Sequence, residues 1–128
     1  MRELQVKRLR FCREADTWLK VLKTRTGVTP NILSRMGFCL SLEDPGVPQP
    51  QNYPEDSQRE INRYTLLGEY DALFVSLLRQ RLSLDGLDEG RIEEQFRAHM
   101  NRGVLLLAKG LKSLQDVARL SVRAGESS

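Results

Sequence analysis

Four of the chain's five prolines lie in one run, residues 44–54, DPGVPQPQNYP. Each proline ring fixes φ and removes a backbone donor, so neither a helix nor a central strand can pass through this run. It divides the chain into an N-terminal stretch, residues 1–43, a connector, 44–56, a C-terminal stretch, 57–121, and a polar tail, 122–128. At 128 residues, these parts are expected to form one domain with a modest core. The connector reads as a linker laid across the surface rather than as a polyproline docking segment.

Ahead of the connector, residues 16–43 read as two short helices joined at Gly27-Val28. Ala15, Trp18, Leu19 and Leu22 recur at helical spacing and form one stripe, with Asp16, Lys20 and Lys23 on the other side. Gly27 supplies the left-handed residue that ends the first helix, and Thr29-Pro30 reads as the cap and first position of the second. The expected apolar face of the second helix is Leu33, Met36 and Leu40, flanked by Ile32 and Cys39. Before them, residues 4–11 alternate like a strand, with Leu9 and Phe11 on one face and Arg8 and Arg10 on the other. Basic strand, helix, helix is the order of the ribbon-helix-helix DNA binders, whose dimers share a ribbon in the major groove.

In the second half, Ser57-Gln58-Arg59-Glu60 matches a capping box, whereas residues 61–67 suit strand or helix equally and Gly68 interrupts them. From Glu69 a helix is expected, with the stripe Leu73, Phe74, Leu77 and Leu78. Asp85-Gly86 signals a turn, and Asp88 caps a helix carrying Ile92, Phe96, Met100, Val104 and Leu107, with His99 and Arg102 off that stripe. A final helix is expected from Ser113, with Asp116 in a capping box and Leu114, Val117, Ala118 and Leu120 buried. The fold class is therefore mainly α, a compact helical domain with one short N-terminal strand.

No apolar run approaches the ~20 residues that span a bilayer, and the charged N-terminus lacks a secretory signal, so a cytoplasmic location is expected. Cys12 and Cys39 have no CxxC spacing and are expected to be buried free thiols. The net charge of +3 is uneven. Residues 1–42 hold nine Lys/Arg against three Asp/Glu, while residues 43–128 hold eleven against fourteen. A basic lobe of this kind is the electrostatic footprint of an anionic partner, and nucleic acid is the partner it suits.

Catalytic chemistry finds little material. His99 is the only histidine, and beside a core stripe it reads as structural rather than as a general base. No glycine-rich phosphate loop is present, and Gly103 and Gly110 read as sites of close packing. Glu55, Asp56, Glu69, Asp71, Asp88, Glu89, Glu93 and Glu94 could supply magnesium ligands to a nuclease, but most suit first-turn helix charges better. No metal or cofactor is expected, and the chain does not read as an enzyme.

Three blocks carry a family likeness: LKTRTGVTPNILSRMGFCLSLED at 22–44, NRYTLLGEYDALF at 62–74 and EEQFRAHMNRGVLLL at 93–107. In order and spacing, with the proline-rich connector between the first two, they resemble the DndE family of the bacterial DNA phosphorothioation system, in which sulfur replaces a non-bridging phosphate oxygen. The likeness runs from about Leu9 to Leu120. It implies a mainly helical homotetramer that binds double-stranded DNA, prefers nicked duplex, works beside the other DNA sulfur modification subunits and has no active site of its own.

In that family, DNA binding is attributed to surface cations. The matching positions here are Arg13, Lys20, Lys23, Arg25 and Arg35. The strand adds Lys7, Arg8 and Arg10, and Thr29 begins a helix whose free N–H groups could meet a phosphate. The family relies largely on lysine, whereas this chain has fifteen Arg and five Lys; arginine can grip phosphate bidentately. A ribbon-helix-helix operator-binding dimer is the alternative reading.

Overall fold

The computed structural model describes the backbone of residues 3–126 and the side chains of residues 3–112. The order of elements is β1 (Arg8–Arg10), α1 (Arg13–Thr26), α2 (Pro30–Glu43), β2 (Glu60–Asn62), α3 (Arg63–Leu67), α4 (Asp71–Leu84) and α5 (Ile92–Glu126). Short 3₁₀ turns lie at Pro50–Asn52, Gly68–Tyr70 and Glu89–Arg91. The mainly α class is as expected.

Helix α1 forms where its pattern predicts, burying Ala15, Leu19 and Leu22. Gly27 ends it at φ 76°, where its N–H reaches the Lys23 carbonyl at 2.8 Å. The start of α1 is closed from outside: Cys12 N–H donates to Asn101 Oδ1 of α5 at 2.9 Å. Asp16 is buried rather than solvent-facing, for reasons given below.

In α2, the face turned inward is Leu33, Ser34, Gly37, Phe38 and Ser41. Of the expected face only Leu33 is buried, and Met36, Leu40 and Ile32 point to solvent. The helix carries apolar residues on nearly every side, so small residues and not hydrophobicity decide which side packs. At Gly37 the backbone of α2 meets the backbone of α5 at Gly103; a Cβ on Gly37 would come within 2.5 Å of the Gly103 carbonyl carbon. That contact sets Phe38 into the centre, against Phe74, Phe96 and His99 at ring separations of 5.7, 5.9 and 6.3 Å.

The N-terminal strand pairs within its own chain. β1 runs antiparallel to β2, with Arg8 opposite Asn62, Leu9 opposite Ile61 and Arg10 opposite Glu60. Leu9 and Phe11 face the core as the alternation requires. A ribbon-helix-helix dimer needs this strand paired with its copy in a second subunit, so its pairing within the chain removes that reading.

The ambiguous stretch 61–67 divides at Asn62, whose side chain accepts from Thr65 N–H and starts α3. The capping box read at Ser57 does not form. Instead the Ser57 hydroxyl donates to the Phe11 carbonyl at 2.7 Å, and Glu60 lies in β2. In α4 the buried residues are Phe74, Val75, Leu78, Arg81 and Leu82; Leu73 faces solvent and Leu77 is half-buried. Along α5, Ile92, Phe96, Met100, Val104 and Leu107 are all buried, as expected.

The connector is packed more closely than a surface linker. Pro48 and Pro50 are buried, and the Pro48 carbonyl accepts from Gln95 of α5 at 3.2 Å. No new helix begins at Ser113, because α5 runs on through it. Gly110 in mid-helix costs only about 1 kcal/mol, too little to force a break. The burial expected for Leu114, Val117, Ala118 and Leu120 and the side chains of the tail lie outside the described residues. Among those described, no helix is long and apolar enough to cross a membrane.

Candidate nucleic-acid interface

Since α1 buries the side that carries Ala15, Leu19 and Leu22, its opposite side presents Arg13, Thr17, Lys20 and Thr24 to solvent. At 3.6 residues per turn these four form one stripe, with Lys23 and Arg25 beside it in the last turn. The threonine hydroxyls donate to backbone carbonyls one turn back, Thr17 to Arg13 and Thr24 to Lys20, each at 3.0 Å. Lys7, Arg13, Lys23 and Arg25 are exposed, and their side chains meet no carboxylate among the described residues.

Two carboxylates organise the remaining cations. Asp16, with 11% of its side chain exposed, receives Arg59 Nε at 2.6 Å and Lys20 Nζ at 3.1 Å. Its burial alone would raise its pKa, but the hydrogen bonds from Arg59 and Lys20, with their charges, outweigh burial and hold the carboxyl below its usual range. Glu60 of β2 takes Arg8 at 3.2 Å and Arg10 at 2.6 Å, side by side on the outer face of the ribbon. Asp16, Lys20, Gln58, Arg59 and Glu60 line a shallow concavity of about 330 Å³.

Other candidates are engaged elsewhere. Arg35 turns inward and donates from Nε to the Leu66 carbonyl at 2.8 Å and from Nη2 to the Thr65 carbonyl at 3.0 Å. It satisfies the open C-terminal carbonyls of α3 beside Gly68, where the chain turns at φ 58°. Thr29 precedes α2 in extended conformation but makes no side-chain cap; its hydroxyl is bonded to Asn31 Oδ1 at 2.5 Å. Arg59, which the sequence did not single out, comes into the cluster. Its separation of 43 residues from Asp16 leaves no local pattern to reveal it.

The buried polar cluster at the end of α2 is structural. Arg81 Nη1 donates to the carbonyls of Ser41, Leu42 and Asp44, and its Nη2 to that of Gly46. Arg102 Nη2 donates to the Ser41 carbonyl and Nη1 to that of Gly46, while Nε reaches the Ser41 hydroxyl at 2.9 Å. That hydroxyl pairs with His99 Nδ1 at 2.8 Å. His99 is fully buried, and burial with the charges of Arg102 and Arg81 pushes its pKa down to about 3. A neutral imidazole sealed from solvent has no substrate to serve as a base.

Most of the acids weighed as magnesium ligands already have partners. Asp56 accepts from Arg13 N–H, Asp88 from Gly90 N–H, and Asp71, Glu94 and Glu55 pair with Arg63, Arg91 and Arg97. No group of three or more potential metal ligands occurs among the described residues. Contrary to expectation, only one thiol is buried, Cys12; Cys39 is exposed on α2.

The profile of the family described as DNA sulphur modification protein DndE matches residues 8–115. The chain belongs to the DndE family. Among solved structures it is similar to DndE from Escherichia coli B7A, a protein involved in DNA phosphorothioation modification, with 26% identity and a TM-score of 0.68 over 82% of this chain and 99% of that one. A double glycine-to-lysine mutant of DndE, likewise involved in DNA phosphorothioation, aligns at 25% identity and a TM-score of 0.63, covering 79% and 96% of the two chains. No curated protein matches. The DndE match covers β1 to the middle of α5, and so includes the whole α1 stripe and both carboxylate-bridged cation pairs.

Proposed function

We propose that this DndE-family chain is a non-catalytic DNA-binding subunit of a cytoplasmic DNA phosphorothioation complex, gripping double-stranded DNA through the solvent face of α1 and preferring nicked duplex. The carrying observation is that face: Arg13 lies on the stripe and Lys23 and Arg25 flank it, all three exposed and free of carboxylate partners among the described residues, while Lys20, also exposed, is held by Asp16. Exposed cations spread over one helix face suit a polyphosphate, since phosphate neutralisation supplies most of the affinity of such interfaces. Lys7, Arg8 and Arg10 extend the surface along the ribbon. The other subunits of the sulfur modification machinery and further copies of this chain are the remaining partners, the assembly being a homotetramer. Support for self-association comes from the uncovered apolar side chains of α2 and α4, namely Ile32, Met36, Leu40, Leu73 and Leu84.

The test is a titration of intact and nicked duplex across salt concentration. Simultaneous replacement of Lys20, Lys23 and Arg25 by Gln is expected to weaken binding about equally on unrelated sequences and to flatten the salt dependence by about three contacts' worth. Salt-independent binding by the unaltered protein would count against phosphate contacts, and equal affinity for the two duplexes would remove the preference for nicks.

A further inference from the structure

The geometry points to a phosphodiester-binding subsite at the edge of the exposed α1 stripe, formed by Lys20 of that stripe with Arg59 and held in place by Asp16; it rests on the proposed DNA-binding function. Arg59 lies after the connector, in the strand approach to β2, yet its guanidinium is drawn against α1 by the buried Asp16 carboxylate. Only Nε is spent on that bond. The two Nη groups donate to no other residue among those described, although the side chain is just 22% exposed. Lys20 contacts the second oxygen of the same carboxylate and is otherwise solvated, with 67% of its side chain exposed.

The shared carboxylate changes what two cations can do. Free lysine and arginine side chains each lose rotamer freedom on meeting a phosphate, whereas here the carboxylate has already ordered both. The free edge of the guanidinium is planar and can meet two phosphate oxygens at once, and the ammonium offers two further donors beside it. Glu60 lines the same concavity but is itself bridged by Arg8 and Arg10, so four cations face two carboxylates there and the surroundings stay cationic. Both side chains line the same concavity of about 330 Å³, which is open to a backbone phosphate. Asp16 is thus a positioning residue, and Arg59 is a DNA contact drawn from outside the basic N-terminal lobe.

The sign of one substitution separates this assignment from simple charge counting. Asp16→Ala adds one unit of positive charge to the surface. On charge alone it tightens DNA binding; if Asp16 positions Lys20 and Arg59, it weakens binding roughly fivefold, the cost of re-ordering freed side chains. Arg59→Gln is expected to weaken binding by a similar factor and to lower the salt slope by about one, while Arg59→Lys restores the slope but only part of the affinity. Combining Asp16→Ala with Arg59→Gln is expected to cost little more than Arg59→Gln alone.

Binding of a short duplex is measured by fluorescence anisotropy at several salt concentrations, with circular dichroism confirming that each variant is folded. Tighter binding by Asp16→Ala, or unchanged affinity and slope for Arg59→Gln, overturns the subsite. If Asp16→Ala does not fold, the two Arg59 variants decide it alone. Failure of the unaltered protein to bind duplex would instead overturn the proposed function, so the two failures are distinguishable.

Discussion

Gly37 of α2 and Gly103 of α5 meet backbone to backbone: a Cβ on either would lie inside the other's peptide group. No side chain is available to move aside, so the two helices would have to separate. Gly37→Ala or Gly103→Ala is therefore expected to destabilise the protein by at least the 1–3 kcal/mol usual for overpacking, about as much for one as for the other. Gly110, in the same helix with nothing within 4 Å of its added Cβ, is the control. Gly110→Ala should stabilise by up to ~1 kcal/mol through helix propensity. Urea denaturation of the three variants tests the contrast, and equal effects at Gly103 and Gly110 would refute it.

That crossing explains why periodicity locates the buried faces of α1 and of α5 as far as Leu107 but not that of α2. Ala15, Leu19 and Leu22, and likewise Ile92, Phe96 and Val104, are large or small apolar residues at a regular spacing, and periodicity finds them. In α2 the inward side is marked by Gly37, which permits contact, and by Ser34 and Ser41, whose hydroxyls are bonded to Pro30 O and His99. The partners of Ser41 and Gly37 lie 58 and 66 residues away, and no local pattern records them. The α1 cations were legible because the stripe is local. Arg59 was not, because only the β1–β2 pairing carries it to Asp16.

The C-terminus of α2 depends on a residue of another helix. Arg81 is 7% exposed, pairs with Asp85 at 2.9 Å and donates to four carbonyls between Ser41 and Gly46. A cation there is favoured by the helix dipole, and it satisfies acceptors that α2 leaves open. Arg81→Met removes the charge and leaves Asp85 and those carbonyls without it, at an expected cost of about 3–5 kcal/mol. Arg81→Lys should recover only part of this, because one ammonium cannot replace a planar fork. Thermal unfolding of both variants measures the difference; full recovery by lysine would show that charge alone is needed.

His99 makes stability depend on acidity. Its pKa is about 3 when folded against 6.5 as the ordinary value, so between those limits the unfolded state binds the extra proton. Stability is therefore full above about pH 6.5 and falls as pH is lowered through that window, by at most about 1.4 kcal/mol per unit from this residue. Asp16 contributes in a separate range: its lowered pKa gives stability that is present above 3.8 and lost only as pH falls further. Between pH 6 and 4.5 the slope should thus belong largely to His99, and His99→Gln should flatten it. Denaturant midpoints taken at half-unit intervals test this, and an unchanged slope in the variant would exclude histidine as its source.

The exposed apolar residues of α4 bear on self-association. Leu73 is 55% and Leu84 78% exposed, and with Tyr70 and Leu77 they follow the three-four spacing of a helix-pairing seam along α4. Cys39, Leu42, Leu77 and Leu84 line a groove of about 290 Å³ between this seam and α2. If copies associate there, Leu73→Asp combined with Leu84→Asp buries two charges opposite an apolar partner and should raise the dissociation constant at least tenfold, equivalent to about 1.4 kcal/mol. Both positions lie at the surface, so the helical circular dichroism spectrum and thermal midpoint of the isolated chain should hardly change. Sedimentation velocity over a hundredfold range of concentration decides between the outcomes: oligomers unaffected by the double substitution would place their contact elsewhere, and a monomer at every concentration of the unaltered protein would remove the homotetramer from the proposed function.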